Sequence, residues 1–296
     1  MLTKENRLWQ WFAHAAMILG ALACLFPLAL LTVSSFTDEQ TIIRNGYSFI
    51  PEQWSFAAYD YLWNKSSDIA RAYGITLFIT VIGTIGGVLI CALLAYPLSV
   101  RQFRARNIFS FLVFFTLLFN GGLVPTYLVY TQLFGMKNTL LALIVPGLLM
   151  NGFNILLMRS YFLTSIPAPV LESATIDGAG QLRTFWSIVL PLSLPILATV
   201  GLFQVVLYWN DWFNGMVYVT DSKLFSLQNM LNRILTDIQF LSSNQIGARV
   251  GQSVAKMPSE TVRMAIAVIG VVPLLIAYPF FQKYFVKGLI IGAVKG

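Results

Sequence analysis

At 296 residues the chain has the length of one or two soluble domains. Its composition excludes them: 57% of residues are hydrophobic, 10% are charged, and mean hydropathy is +0.73. The formal net charge of +7 would suggest nucleic acid, but many of the basic residues stand at the ends of apolar runs, where they report membrane topology instead.

Taken in order, the chain predicts an all-α, polytopic membrane protein. Lys4 and Arg7 precede an apolar run over residues 11–33. Its start has the look of a signal peptide, and Ala21-Leu22-Ala23-Cys24 faintly resembles a lipoprotein cleavage site. The run continues well past Cys24, however, and about 20 residues suffice to cross ~30 Å of hydrocarbon. An uncleaved first span is therefore expected, with His14, the only histidine, as an interfacial polar residue. Residues 34–71 are polar and aromatic, and Trp54, Tyr59, Tyr61 and Trp63 suit an interfacial belt under an extracytoplasmic segment. A second span follows over 73–100, in which Gly83 and Gly87 share one helical face and allow close helix approach.

Arg101, Arg104 and Arg106 mark a tight basic turn before a third span, 108–130, which Asn120-Gly121-Gly122 and Pro125 interrupt. Such a break at membrane depth must face protein or a water-filled cavity. A fourth span is expected over 140–158, a fifth over 188–212 and a sixth over 262–281, with a second extracytoplasmic segment at 214–261 and a short basic tail. Cys24 and Cys91 both lie inside apolar runs and form no disulfide framework.

Between the fourth and fifth spans lies the polar stretch 164–190. Pro167 and Pro169 suit the first turn of a short helix. Gly178 and Gly180 end it, and a second helix is predicted from Gln181 to Leu190 with Leu182, Phe185, Trp186 and Val189 on its apolar face. Two short helices meeting at glycine make a compact knob fit to dock a soluble partner.

The spacing Glu172, Ala174, Gly178, Ile188, Leu190, Pro191 resembles the E-A-A-x3-G-x9-I-x-L-P signature of bacterial ABC-importer permease subunits. Ser173 stands where a second alanine is usual. With Asp177, Ala179 and Phe185 added, the stretch is similar to the maltose-type carbohydrate branch, and the chain more loosely resembles the LplC/YtcP group of sugar permeases. The resemblance implies six transmembrane helices of the type I importer kind and a coupling loop that docks an ATPase. The residues it assigns to coupling are Glu172, Ser173, Ala174, Asp177, Gly178, Ala179, Phe185, Ile188 and Pro191. It also implies a second related permease subunit, two ATPase subunits that bind ATP and Mg, and an extracytoplasmic sugar-binding protein. Its short tail also resembles those of the maltose-type permeases.

Six spans put both termini on one side. The three arginines of the 101–106 turn, against the lone Lys137 of the next loop, make that side the cytoplasm. No Gly-Lys dipeptide occurs, so the chain has no phosphate loop of its own. It also has no metal-ligand spacing and no nucleophile–base motif, and it is expected to be a non-enzymatic subunit without cofactor or metal, embedded in lipid and without nucleic-acid partners. For Glu172 two roles stand open, an anchor to a partner's Arg or backbone amide and a solvated carboxylate near a helix start.

Sugars are held by stacked aromatic rings and by amide and carboxylate hydrogen bonds. Asn120, Tyr127, Asn151, Asn154, Gln204, Tyr208, Trp209, Asn210, Asp211 and Trp212 are accordingly candidates for a translocation path. Interhelical hydrogen bonds or interface anchors are the other reading of each. An ATP-independent transporter or channel is the alternative function, but such proteins place ionisable residues within their spans, and spans two to five here hold almost none away from their ends.

Overall fold

The computed structural model describes residues 4–243 and 260–293. Among them no strand forms, and one isolated antiparallel bridge joins Thr37 to Trp54. A chain this apolar must satisfy its backbone groups internally, and helices do so within each segment. The helices are α1 (Lys4–Ser35), α2 (Glu39–Asn45), α3 (Ala57–Trp63), α4 (Ser66–Ser99), α5 (Arg106–Leu118), α6 (Leu123–Leu128), α7 (Leu141–Ile144) and α8 (Gly152–Ser165). They continue as α9 (Ala168–Ile176), α10 (Gln181–Thr184), α11 (Leu190–Leu192), α12 (Leu194–Trp209), α13 (Phe213–Tyr218), α14 (Leu227–Ser243) and α15 (Glu260–Ala293). A π-helical turn, Val129–Leu133, extends α6, and another, Phe185–Val189, joins α10 to α11. Of the segments expected from the sequence, residues 244–259 and the last three of the tail lie outside the described residues.

The chain divides into two compact units, residues 1–67 with 233–273 and residues 68–232 with 274–296. In the first, α1 presents its apolar side chains outward, Trp9, Trp11 and Phe12 among them, as a helix solvated by lipid would. The Asp38 carboxylate caps α2 by accepting from the Gln40 and Thr41 amides at 3.0 and 3.3 Å. Glu39 serves a distant helix in the same way. Its carboxylate accepts from the Glu260 and Thr261 amides at 2.9 and 3.0 Å and from the Thr261 hydroxyl at 2.8 Å. It thus occupies the open, partly positive N-terminus of α15. The Tyr47 hydroxyl donates to Glu260 at 3.2 Å, and burial together with that carboxylate pushes the phenol above its ordinary range. Tyr59, expected as an interfacial aromatic, is instead packed: it stacks on Phe36 at 4.6 Å and shares a 2.8 Å hydrogen bond with Ser35.

The second unit is organised on α4. Ala72, Thr76, Ile79, Gly83, Gly87 and Cys91 recur at helical spacing and form its buried stripe. A Cβ on Gly83 would collide with the Tyr208 ring of α12, and one on Gly87 would sit 3.0 Å from the Gln204 amide nitrogen. The Gly-x3-Gly pair is where α4 takes the Tyr208 and Gln204 side chains of α12 against its backbone. Around the lower half of this contact, Ala92, Ala95, Met158, Phe162, Phe185 and Ile196 form one apolar core.

Among the described residues three helices are individually long and apolar enough to cross a membrane, Trp9–Ser35, Ser66–Ser99 and Glu260–Pro279. Two bent pairs bring the number up to five if each pair is one span. Arg106–Leu118 and Leu123–Leu133 meet at 111°, at the Asn120–Gly122 break, where Gly122 has φ 84°. Gln181–Leu192 and Leu194–Trp209 meet at 81°. The continuous fourth helix expected over 140–158 does not form. Pro146 removes a donor and Gly147 turns left-handed at φ 71°, so α7 stops at Ile144 and α8 begins only at Gly152.

Candidate functional site

The knob at 164–190 is built by its own prolines and one glycine. Pro167 caps α9 in extended geometry, and Pro169 falls in the first turn, where a missing N–H costs nothing. Ser173 and Thr175 turn their hydroxyls back onto the Pro169 and Leu171 carbonyls, so neither projects a free donor. At the other end the Gly178 amide donates to the Thr175 carbonyl at 3.1 Å and the Ala179 amide to Ala174 at 2.9 Å. That paired closure needs a left-handed residue between its donors, and Gly178 supplies it at φ 75°. Gly180 does not share this role: its φ is −69°, and it starts α10 in extended geometry.

The second half of the knob is clamped to the end of α4. Phe185 is 1% exposed and its ring lies 5.4 Å from that of Tyr96. The Tyr96 hydroxyl donates to the Gln181 amide oxygen at 2.8 Å. Arg159 of α8 donates to the Leu98 carbonyl at 3.0 Å and ties the same end of α4 from another side. The apolar face expected of this helix is split. Phe185 and Val189 are buried against α4 and its core, whereas Leu182 and Trp186 are 70% and 52% exposed. With Ile176 at 86%, three large apolar side chains stand outward on a segment held from behind.

Of the other coupling candidates, Ala174 is buried, and Ala179 and Ile188 are half-buried. Glu172, Ser173, Asp177 and Pro191 are exposed. The Glu172 carboxylate has no hydrogen bond or ion pair among the described residues. The knob therefore presents two uncommitted carboxylates, Glu172 and Asp177, and an apolar patch, a surface that can be gripped by charge-assisted hydrogen bonds and apolar packing. The sequence signature did not single out Ile176 or Leu182 as docking side chains, and no spacing rule marks them.

Several of the path candidates are engaged within the chain. Asn120 accepts from the Gly122 amide at 2.9 Å, and Asn151 caps α8 through the Phe153 and Asn154 amides. Tyr208, fully buried, donates to the Ile144 carbonyl at 2.8 Å; Asn210 turns back onto Val206. Asp211 accepts from the Asn214 amide at 3.2 Å. Tyr127 stacks on Tyr218 at 5.7 Å, Trp209 is buried near Tyr73, and Trp212 is partly exposed. Asn154 and Gln204 are buried, and neither amide atom of Gln204 has a partner among the described residues. Asn214, which sequence reasoning passed over, donates to the Pro146 carbonyl at 2.9 Å. Among the described residues no group of His, Cys, Asp or Glu could hold a metal ion.

Known proteins share both the sequence and the fold. The chain is 37% identical over 295 residues to the polygalacturonan/rhamnogalacturonan transport system permease protein YtcP of Bacillus subtilis, covering 99% of this chain and all of that one. It is 37% identical over 279 residues to the B. subtilis protein LplC, covering 94% and 91%. A chain from the crystal structure of a bacterial ABC transporter involved in the import of the acidic polysaccharide alginate superposes with a TM-score of 0.77 at 32% identity, covering 96% of this chain and 99% of that one. The model of binding-protein-dependent transport system inner membrane components matches residues 87–291, which contain the whole knob. With the knob inside that match, the chain belongs to the family of binding-protein-dependent transport system inner membrane components.

Proposed function

We propose that the chain is one of two permease subunits of an ATP-driven importer for oligosaccharides, and that it takes its motive force through the knob around Glu172. The observation that carries the reading is the asymmetry of that knob. Its inner stripe, Phe185 and Val189, is locked to the core that α4 anchors, while its outer stripe and the Glu172 carboxylate are left for a partner. A push on such an element is transmitted to the end of a 34-residue helix and not absorbed in a loop. The partner is an ATPase subunit, which binds ATP and Mg and seats Glu172 against an Arg or backbone amides.

The proposed topology has six crossings with both termini in the cytoplasm. The two bent pairs count as one crossing each, and α7 with α8 supplies the remaining one around the 145–151 break. Support for an oligosaccharide substrate comes from relatives named for polygalacturonan/rhamnogalacturonan, for the polysaccharide alginate and, at 26% identity, for arabinooligosaccharides. An extracytoplasmic binding protein delivers the substrate, and a second, related permease completes the path.

The test is co-expression with the cognate ATPase and the second permease. Glu172→Lys places like charge against the partner's basic group and is expected to release the ATPase from the purified complex and abolish uptake, with membrane insertion unchanged. Full retention of the ATPase by that variant would refute the assignment.

A further inference from the structure

At the end of α4, Leu93, Tyr96 and Val100 face Phe103 of the following turn and Leu182 and Phe185 of the knob across a cavity of about 330 Å³. That volume is at the small end of ligand pockets. Its lining is almost wholly carbon, because the Tyr96 hydroxyl on the wall is already bonded to the Gln181 amide oxygen. A polar solute would lose its hydration here and gain nothing in exchange. The residues next in the chain to two of its lining side chains have the opposite character. Arg101 and Arg104 flank Phe103 in the chain, and Arg183 follows Leu182. All three are exposed, and none has an ion pair among the described residues.

The depth of this site follows from its neighbours. The apolar helices α4 and α5 leave and re-enter the membrane on either side of the 101–105 turn, so the guanidinium groups stand at the level of lipid headgroups whichever face of the membrane this is. An apolar cavity whose lining residues are flanked in the chain by unpaired cations matches one molecule in two chemistries, an acyl chain in the cavity and a phosphate at the arginines.

We infer that the cavity holds an acyl chain of an anionic phospholipid, whose phosphate is bound by Arg101, Arg104 and Arg183. The lipid fills the gap between α4 and the second half of the knob. If the knob is the ATPase contact, as proposed above, the lipid stiffens the joint through which that contact acts; its binding itself does not depend on that reading. Arg supports such a contact better than Lys would, since its fork donates to phosphate oxygens in pairs.

The experiment is a lipid count on the intact complex. Permease pair and ATPases are reconstituted in nanodiscs of equimolar phosphatidylcholine and phosphatidylglycerol, extracted in mild detergent, and the retained lipids identified by native mass spectrometry. Phosphatidylglycerol is expected to be retained over phosphatidylcholine, and R101Q/R104Q to lower that preference about tenfold. R101K/R104K, which keeps the charge, should preserve most of it and controls for folding. Leu93→Trp, which places an indole in the cavity, should reduce retention of both lipids. Equal retention of the two lipids by the unaltered complex overturns the inference, as does a preference unchanged in R101Q/R104Q. A cavity closed by a protein partner instead would show as retention by the permease pair that vanishes once the ATPases are bound, and would also overturn it. Because the count reads lipid and not nucleotide turnover, a negative result leaves the docking proposal standing, and failure of docking leaves the lipid site standing.

Discussion

Gly178→Ala separates backbone conformation from every other contribution to the knob. At φ 75° the residue sits where an L side chain is strained, and a Cβ there would meet no atom within 4 Å. Crowding contributes nothing, so the whole penalty is conformational, about 1–2 kcal/mol for a left-handed residue other than glycine. The paired closure, Gly178 to Thr175 and Ala179 to Ala174, relaxes as the residue escapes that conformation, and the Glu172 helix loses its fixed angle to the Leu182 helix. If the ATPase requires that angle, its affinity for the permease pair should fall about 5–30-fold, the equivalent of the same energy. Titration of the ATPase onto the reconstituted pair gives the dissociation constant directly. Gly178→Asn should lose less, since asparagine tolerates the left-handed region. Gly180→Ser should be close to neutral, because φ −69° and ψ 159° suit a serine N-cap. Equal losses for Ala and Asn, or a Gly180→Ser variant as damaged as Gly178→Ala, would refute the conformational argument.

The two stripes of the knob's second helix should respond oppositely. Phe185→Ala empties a fully packed ring position and should destabilise the folded permease by about 3–5 kcal/mol, read as a fall in thermal midpoint. Trp186→Ala should leave that midpoint nearly unchanged while weakening ATPase binding by about 2 kcal/mol or more, the range of an interface anchor. Gly83→Ala drives a methyl group into the Tyr208 ring and should cost about 1–3 kcal/mol. Pairing it with Tyr208→Leu should recover part of the loss, whereas strictly additive effects would mean that the two positions do not touch in the membrane.

Much of the knob was legible because its determinants are local. Prolines at a helix start, a glycine at its end and a carboxylate between them act within a few residues, and the sequence displays them in order. The break at Asn120–Gly122 was legible for the same reason. The break after Ile144 was not, although Pro146 and Gly147 stand in plain view, because apolar residues on both sides keep the hydropathy high through a segment that is not helical. The split face of the knob's second helix needed more than periodicity. Leu182 and Trp186 are as apolar as Phe185 and Val189, and only the position of α4 decides which pair is covered. The path candidates were chosen by residue type, which cannot separate a side chain that would contact sugar from one that caps a helix, as Asn151 does, or holds a carbonyl, as Tyr208 does.

The interruption between α7 and α8 has a mechanical corollary. Its Ile144 and Pro146 carbonyls have been handed to Tyr208 and Asn214, so the break is riveted to α12 and to α13 beyond it. Any tilt of α12 relative to this segment would have to carry the segment along or break two buried hydrogen bonds.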